Sequence, residues 1–222
     1  MCGRFASYTP PGVIARLVKA VNPVPNVAPS WNVAPSQQAL AIRRHPKTGE
    51  RHLDLLTWGF VPHWADDPKT ERKPINARAE TVATSPMFRA AFAHNCCLIP
   101  ADAYYEWLVA PDGKHPYAFA RHDGMPMMLA GLWDIWQGED GAKLRSFTII
   151  TTNANDIARP IHDRMPVIVE PDGWSAWLGE IEGSAASLLR PADNAVLRAW
   201  PVSRRVNTPA NNDPGLLEPV SP

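Results

Sequence analysis

Proline sets the grain of this sequence. The chain holds 24 prolines among 222 residues, about twice the usual share. Each one removes a backbone donor and breaks a helix or a central strand. A chain interrupted this often folds from short elements joined by many ordered loops. Its length suits one domain with a sizeable core, or at most two small ones. Neither a repeat nor a low-complexity segment divides it. Residues 1–207 read as one domain, and residues 208–222 as a polar, proline-rich tail expected to be partly disordered.

Hydrophobic periodicity places the elements. Val13, Ile14, Leu17, Val18 and Val21 fall at helical spacing between Pro11 and Asn22-Pro23. Ser85-Pro86 opens a second helix carrying Met87, Phe88, Ala91 and Phe92. Shorter helical stretches are expected over 172–178 and 184–190. The remainder reads as strands: alternation around Leu53 and Leu55, an apolar run from Cys97 to Trp107, and alternation at Tyr117, Phe119 and Arg121. Pro111-Asp112-Gly113 and His122-Asp123-Gly124 read as turns, the second leading into Met127 to Trp136. Further strands are expected over 147–151, 165–170 and 199–203. This is the pattern of a single α+β domain. Its largely antiparallel or mixed sheet is expected to curl into a barrel-like core with short helices.

Composition narrows the function classes. Lysine plus arginine equals aspartate plus glutamate, 22 against 22. The global basic field common in nucleic-acid binders is absent, so any DNA contact must come from a local arginine cluster. No apolar run reaches membrane-spanning length, and the N-terminus lacks the pattern of a secretory signal. The three cysteines, two of them adjacent, are no disulfide framework and suggest a reducing cytoplasm. The histidines are scattered and no Cys-x-x-Cys occurs, so no metal is expected. Without a glycine-rich phosphate loop, no cofactor is expected either.

The chemistry concentrates at the start. Removal of Met1, usual before a small residue, leaves Cys2 with a free α-amine and a thiol. Those groups ordinarily titrate near ~7.7–8 and ~8.5, so both are partly reactive at neutral pH. Together they form a 1,2-aminothiol. The amine condenses with an aldehyde to an imine, and the thiol closes a five-membered thiazolidine. Gly3 allows a close backbone approach, and Arg4 adds a permanent cation. The plainer reading of an arbitrary Met-Cys start is an inert Cys2 behind a retained Met1.

The strings Met1-Cys2-Gly3-Arg4-Phe5, Trp31-Asn32-Val33-Ala34-Pro35, Trp58-Gly59 and Pro74-Ile75-Asn76-Ala77-Arg78-Ala79-Glu80-Thr81 follow one another along the chain. After them come Ala101-Asp102-Ala103-Tyr104-Tyr105-Glu106-Trp107, Thr151, Ile161-His162-Asp163-Arg164-Met165-Pro166 and Pro201-Val202-Ser203. Each is weak alone. In this order, from residue 1 to about 207, the set resembles the SOS response-associated peptidase (SRAP) family. The resemblance implies a compact α+β domain that binds single-stranded DNA and traps abasic sites through its N-terminal cysteine. The family name reflects removal of the residues before that cysteine, so the chain is expected to assist excision of its own Met1.

The resemblance implies four catalytic positions: Cys2, Asn76, Glu106 and His162. Asn76 would orient the α-amine. Glu106, in apolar walls supplied by Tyr104, Tyr105 and Trp107, would shuttle protons with a raised pKa. His162 would assist sugar ring opening or steady the imine. Taken singly, these three also read as a turn, an edge-strand position and a solvated loop. Arg4 and Arg78 are the phosphate-binding candidates. Trp64, with Met87 and Phe88, would stack on or wedge between bases, although the last two equally suit a helix core. Asn32 and Thr151 would hydrogen-bond the DNA backbone. One departure stands out: Ala65 follows Trp64 where many bacterial members carry a second tryptophan. The charged loop from Asp66 to Lys73 is expected to be mobile.

Three rivals remain at this level. N-terminal-nucleophile glutamine amidotransferases also begin Met-Cys-Gly, but this chain lacks the domain they feed with ammonia. A cysteine hydrolase would pair Cys97 with His162, although Cys97 sits in an apolar run. A non-enzymatic single-stranded DNA-binding module would leave Cys2 inert. The expected partner is single-stranded DNA with abasic sites, and the expected state a monomer.

Overall fold

The computed structural model describes residues 2–69 and 72–221. In chain order these form β1 (Phe5–Ser7), α1 (Pro11–Val18), β2 (Ser30–Val33), β3 (Gln38–Arg44), β4 (Arg51–Trp58), β5 (Asn76–Arg78) and α2 (Arg89–His94). Then follow β6 (Cys96–Ala101), β7 (Ala103–Ala110), β8 (Gly113–Arg121), β9 (Met127–Gln137), β10 (Lys143–Asn153), β11 (Arg164–Pro166), α3 (Trp174–Trp177) and β12 (Leu197–Pro201). Short 3₁₀ turns fill several of the gaps, two of them opened by Pro171 and Pro214.

Five strands close a barrel in the order β10-β4-β3-β6-β9, with β9 pairing back onto β10 from Gln137↔Lys143 to Gly131↔Ile149. The pairing is mixed: β4 and β5 run parallel to β10, while β11 runs antiparallel to it. Gly131 lies where β9 meets both β6 and β10. A Cβ there would stand 3.0 Å from both the Cys97 sulfur and the Thr148 carbonyl oxygen, so any larger residue would press on both neighbouring strands. A second sheet, ordered β12-β8-β7-β1-β2, lies beside the barrel.

Strands β6 and β9 bury both faces, so they read as nearly continuous apolar runs. On β9, Met127, Leu129 and Trp133 join the cluster that contains Cys2, Tyr104 and Phe119. Met128, Ala130 and Leu132 join a second cluster with Ile14, Val18 and Trp177 of the helices.

Several expectations need correction. The run from Cys97 to Trp107 is two strands in different sheets, split at Asp102. The buried Asp102 carboxylate accepts from the backbone N–H groups of Tyr8 and Thr9 at 2.6 and 2.8 Å, and from the Thr9 hydroxyl. The turn at 122–124 is no hairpin, because β8 and β9 belong to different sheets. The first helix ends at Val18: Lys19 takes a left-handed φ of 56°, and Val21 is exposed. The second begins at Arg89 rather than Ser85, after a turn in which the Ser85 carbonyl accepts from Phe88 and Arg89. Over 165–170 only the start is strand. The tail is packed rather than loose. Leu216 is fully buried against Val206, and Val202 bridges Pro219. Thr70 and Glu71 of the charged loop lie outside the described residues.

Candidate active site

Four separate segments meet at one end of the second sheet. The β1–β7 register pairs Phe5 with Tyr104, and the Tyr105 N–H donates to the Arg4 carbonyl at 3.0 Å. Carried further, this register runs the chain from Gly3 to Cys2 past Glu106. Asn76 enters from the barrel side, at the start of β5 opposite Ile149. His162 closes the turn between β10 and β11, its N–H bonded to Ala158.

The contacts are specific. The Asn76 Nδ2 donates to the Cys2 carbonyl at 2.8 Å. Its Oδ1 is buried with no partner among the described residues. His162 Nε2 lies 4.0 Å from Glu106 Oε2. Two groups approach His162 Nδ1: the Arg164 N–H at 3.0 Å and the Asp163 carboxylate at 2.9 Å. The amide has only a proton to give, whereas the Asp163 side chain is 86% exposed and so open to solvent. We therefore assign Nδ1 as the acceptor and place the ring proton on Nε2, facing Glu106.

Burial governs the electrostatics. Glu106 is 3% exposed, and burial, with the Asp163 charge, pushes its carboxyl up to about 7. Burial holds His162 below its ordinary value, so its neutral form is favoured. Burial and the nearby Glu106 charge raise the Cys2 thiol well above its ordinary value. The carboxyl is thus poised to exchange a proton near neutrality, beside a neutral imidazole and a protonated thiol.

Side-chain alternation on β7 corrects the expected walls. Tyr104 packs in the cluster with Cys2, whereas Tyr105 and Trp107 pack in the opposite one. The Tyr105 hydroxyl donates to the Trp31 carbonyl at 2.8 Å. Trp107 instead lines an open cleft with Glu106, His162, Lys114 and Asn207. Its indole N–H donates to Asn207 Oδ1 at 2.7 Å, which fixes the ring. Lys114 and Asn207 carried no signal in the sequence, because only the β7–β8 hairpin and the 3₁₀ turn Arg204–Asn207 bring them here.

Arg164 joins the Asn-Ala-Arg string to the Ile-His-Asp-Arg string. Its guanidinium donates to both Glu80 oxygens at 2.6 and 2.9 Å, to Asn153 Oδ1 at 2.9 Å and to the Thr151 carbonyl at 2.6 Å. Both partners lay in the quoted strings, but a sequence does not say that they pair.

The DNA candidates divide. Trp64 and Arg78 are exposed. Met87 and Phe88 are half-buried on the second cluster, with Phe88 ring-to-ring against Phe60 at 5.5 Å. Arg4 is half-buried, and its NH1 donates to Asn32 Oδ1 and the Val206 carbonyl at 2.9 and 2.8 Å. Asn32 and Thr151 are interior side chains, which corrects their assignment to the DNA backbone. Asn32 is 1% exposed, with its Nδ2 shared among the Val206, Thr208 and Asn211 carbonyls. Thr151 is fully buried beneath Ala77. Ala65 is buried too, and its carbonyl accepts from the Trp136 indole at 2.7 Å. Cys97 is sealed under Gly131, with burial raising its thiol, which argues against it as a nucleophile.

Comparison with known proteins identifies the family of the chain. The chain is 38% identical to the abasic site processing protein YoqW of Bacillus subtilis, over 98% of this chain and 99% of that one. It is 34% identical to the abasic site processing protein YedK of Escherichia coli, over 99% and 100%. A crystal structure of a protein from Bacteroides thetaiotaomicron superposes with a TM-score of 0.87 at 24% identity, covering 99% of this chain and all of that one. The family model for the SOS response associated peptidase (SRAP) matches residues 1–209, and the chain belongs to that family.

Proposed function

We propose that this protein captures abasic sites in single-stranded DNA as a covalent thiazolidine on Cys2, after removal of Met1. The observation that carries this reading is the Asn76 side chain. Its Nδ2 holds the Cys2 carbonyl, and its buried Oδ1 is left to accept from the α-amine that processing exposes. The names of the relatives YoqW and YedK support the substrate class.

The chemistry follows from the groups present. The sugar of an abasic site opens to an aldehyde. The Cys2 α-amine attacks its carbon to give a carbinolamine. Glu106, titrating near neutrality, donates the proton that lets water leave, and an iminium remains. The Cys2 sulfur then attacks that carbon. A C–S bond forms, the C=N electron pair returns to nitrogen, and the thiol proton is released through Glu106. One water is lost overall. His162, with its proton on Nε2, steadies the Glu106 carboxylate between these transfers. Arg78 grips phosphate and Trp64 stacks on a base, while the cleft beside Trp107 and Lys114 receives the neighbouring nucleotide.

The test is a denaturing gel of processed protein with a single-stranded oligonucleotide carrying one abasic site. We expect a slow-migrating adduct in wild type and none in Cys2→Ala. If no adduct forms although mass spectrometry shows Met1 removed, the reading fails.

A further inference from the structure

Two adjacent tyrosines on β7 are both fully buried, yet their hydroxyls fare differently. That of Tyr105 is satisfied by the Trp31 carbonyl. That of Tyr104 has no hydrogen-bond partner among the described residues. A buried hydroxyl left unpaired costs about 1–3 kcal/mol, so its retention calls for a reason.

Its position supplies one. Tyr104 and Glu106 are two apart on one strand and therefore share a face. Phe5 lies directly across from Tyr104, and Cys2 belongs to the same buried cluster. The ring cannot turn away, because it stacks on Phe119 at 4.7 Å with an interplanar angle of 3°. Burial, and then the nearness of Cys2 and Glu106, hold the Tyr104 hydroxyl protonated.

We infer that the Tyr104 hydroxyl donates a hydrogen bond to the Cys2 sulfur as its thiolate forms, and so speeds closure of the thiazolidine ring. This rests on the Cys2 reading above. Burial makes a thiolate costly here, and a donor aimed at the charged form lowers that cost. The bond is made when negative charge develops on sulfur and is lost when the C–S bond consumes it. The phenol keeps its own proton throughout, so no extra oxidant or acid is needed. A donor idle in the resting state and engaged during reaction is how an active site stores such a group.

Tyr104→Phe removes one oxygen and keeps the stacked ring. Two rates are measured on processed protein: alkylation of Cys2 by iodoacetamide from pH 6 to 10, followed on the N-terminal peptide, and adduct formation with abasic DNA. Both rates near neutrality should fall roughly tenfold, the worth of one hydrogen bond to a charged atom. The alkylation midpoint should move to higher pH, and the melting temperature should hold or rise, because an unpaired hydroxyl has been removed. An unchanged midpoint with an unchanged adduct rate would overturn the inference. A drop in melting temperature without a midpoint shift would also overturn it, by assigning Tyr104 to packing. Absence of adduct in wild type is a different failure. It sinks the abasic-site reading and leaves the alkylation arm to decide on Tyr104.

Discussion

His162 Nε2 lies 4.0 Å from Glu106 Oε2, which sets a neutral imidazole against a carboxyl that titrates near neutrality. Burial raises Glu106 from its ordinary value of 4.5 to about 7. A raised carboxyl favours the folded state when protonated. That contribution is complete below pH 4.5 and is lost as the pH climbs through 7. Glu106→Gln mimics the protonated form. Its stability should match wild type at pH 5 and exceed it at pH 8 by on the order of 2 kcal/mol. Thermal melts at the two pH values check the sign. Over the same range its adduct rate should drop at least about a hundredfold, the usual worth of a positioned proton carrier.

Asn76→Ala removes the amide that holds the Cys2 carbonyl. We expect the adduct rate to fall by about 10- to 100-fold through lost orientation of the amine. Affinity for intact single-stranded DNA should be nearly unchanged. Adduct kinetics set against fluorescence anisotropy separate the two effects. An equal loss in both would move Asn76 from chemistry to DNA binding.

Trp64 and Arg78 are exposed, so their alanine variants should alter stability by less than about 0.5 kcal/mol. DNA affinity should fall in both. For Arg78→Ala the slope of log affinity against log salt should shrink by about one, the signature of one lost phosphate contact. For Trp64→Ala the slope should hold while affinity drops by roughly 1–3 kcal/mol, the worth of one stacked base. Asn32→Ala should do the reverse and lower the melting temperature, because it strips three carbonyls of a buried donor.

Leu216→Ala should destabilise the fold by about 2–5 kcal/mol, as expected for a buried leucine. Chemical denaturation measures it. A loss below about 0.5 kcal/mol, typical of surface positions, would return residues 208–222 to the status of a loose tail.

Local chemistry is what a sequence states directly. The prolines pointed to short elements, which holds for the helices but not for the 11-residue β9 and β10; alternation along Tyr117, Phe119 and Arg121 marked a strand, and the ordered strings from Met1-Cys2-Gly3 onward identified the family. Cys2 could be named from its own amine and thiol, whereas Asn76, Glu106 and His162 could be named only through the resemblance of the strings around them. Their meeting was not readable, because it depends on β1 pairing with β7 and β5 with β10. Tertiary structure also decided which polar groups face water. Asn32 and Thr151 have side chains suited to phosphate oxygens, but the pairing of distant segments turns them inward. Residues 208–222 are polar on average, yet the buried Leu216, the Val202–Pro219 bridge and the Asn32 bonds to the Thr208 and Asn211 carbonyls anchor them. Tyr104 and Tyr105 are indistinguishable as letters. One finds a carbonyl and the other packs in the cluster that holds Cys2, because successive side chains on a strand point to opposite sides and only the packed sheets give each side its neighbours.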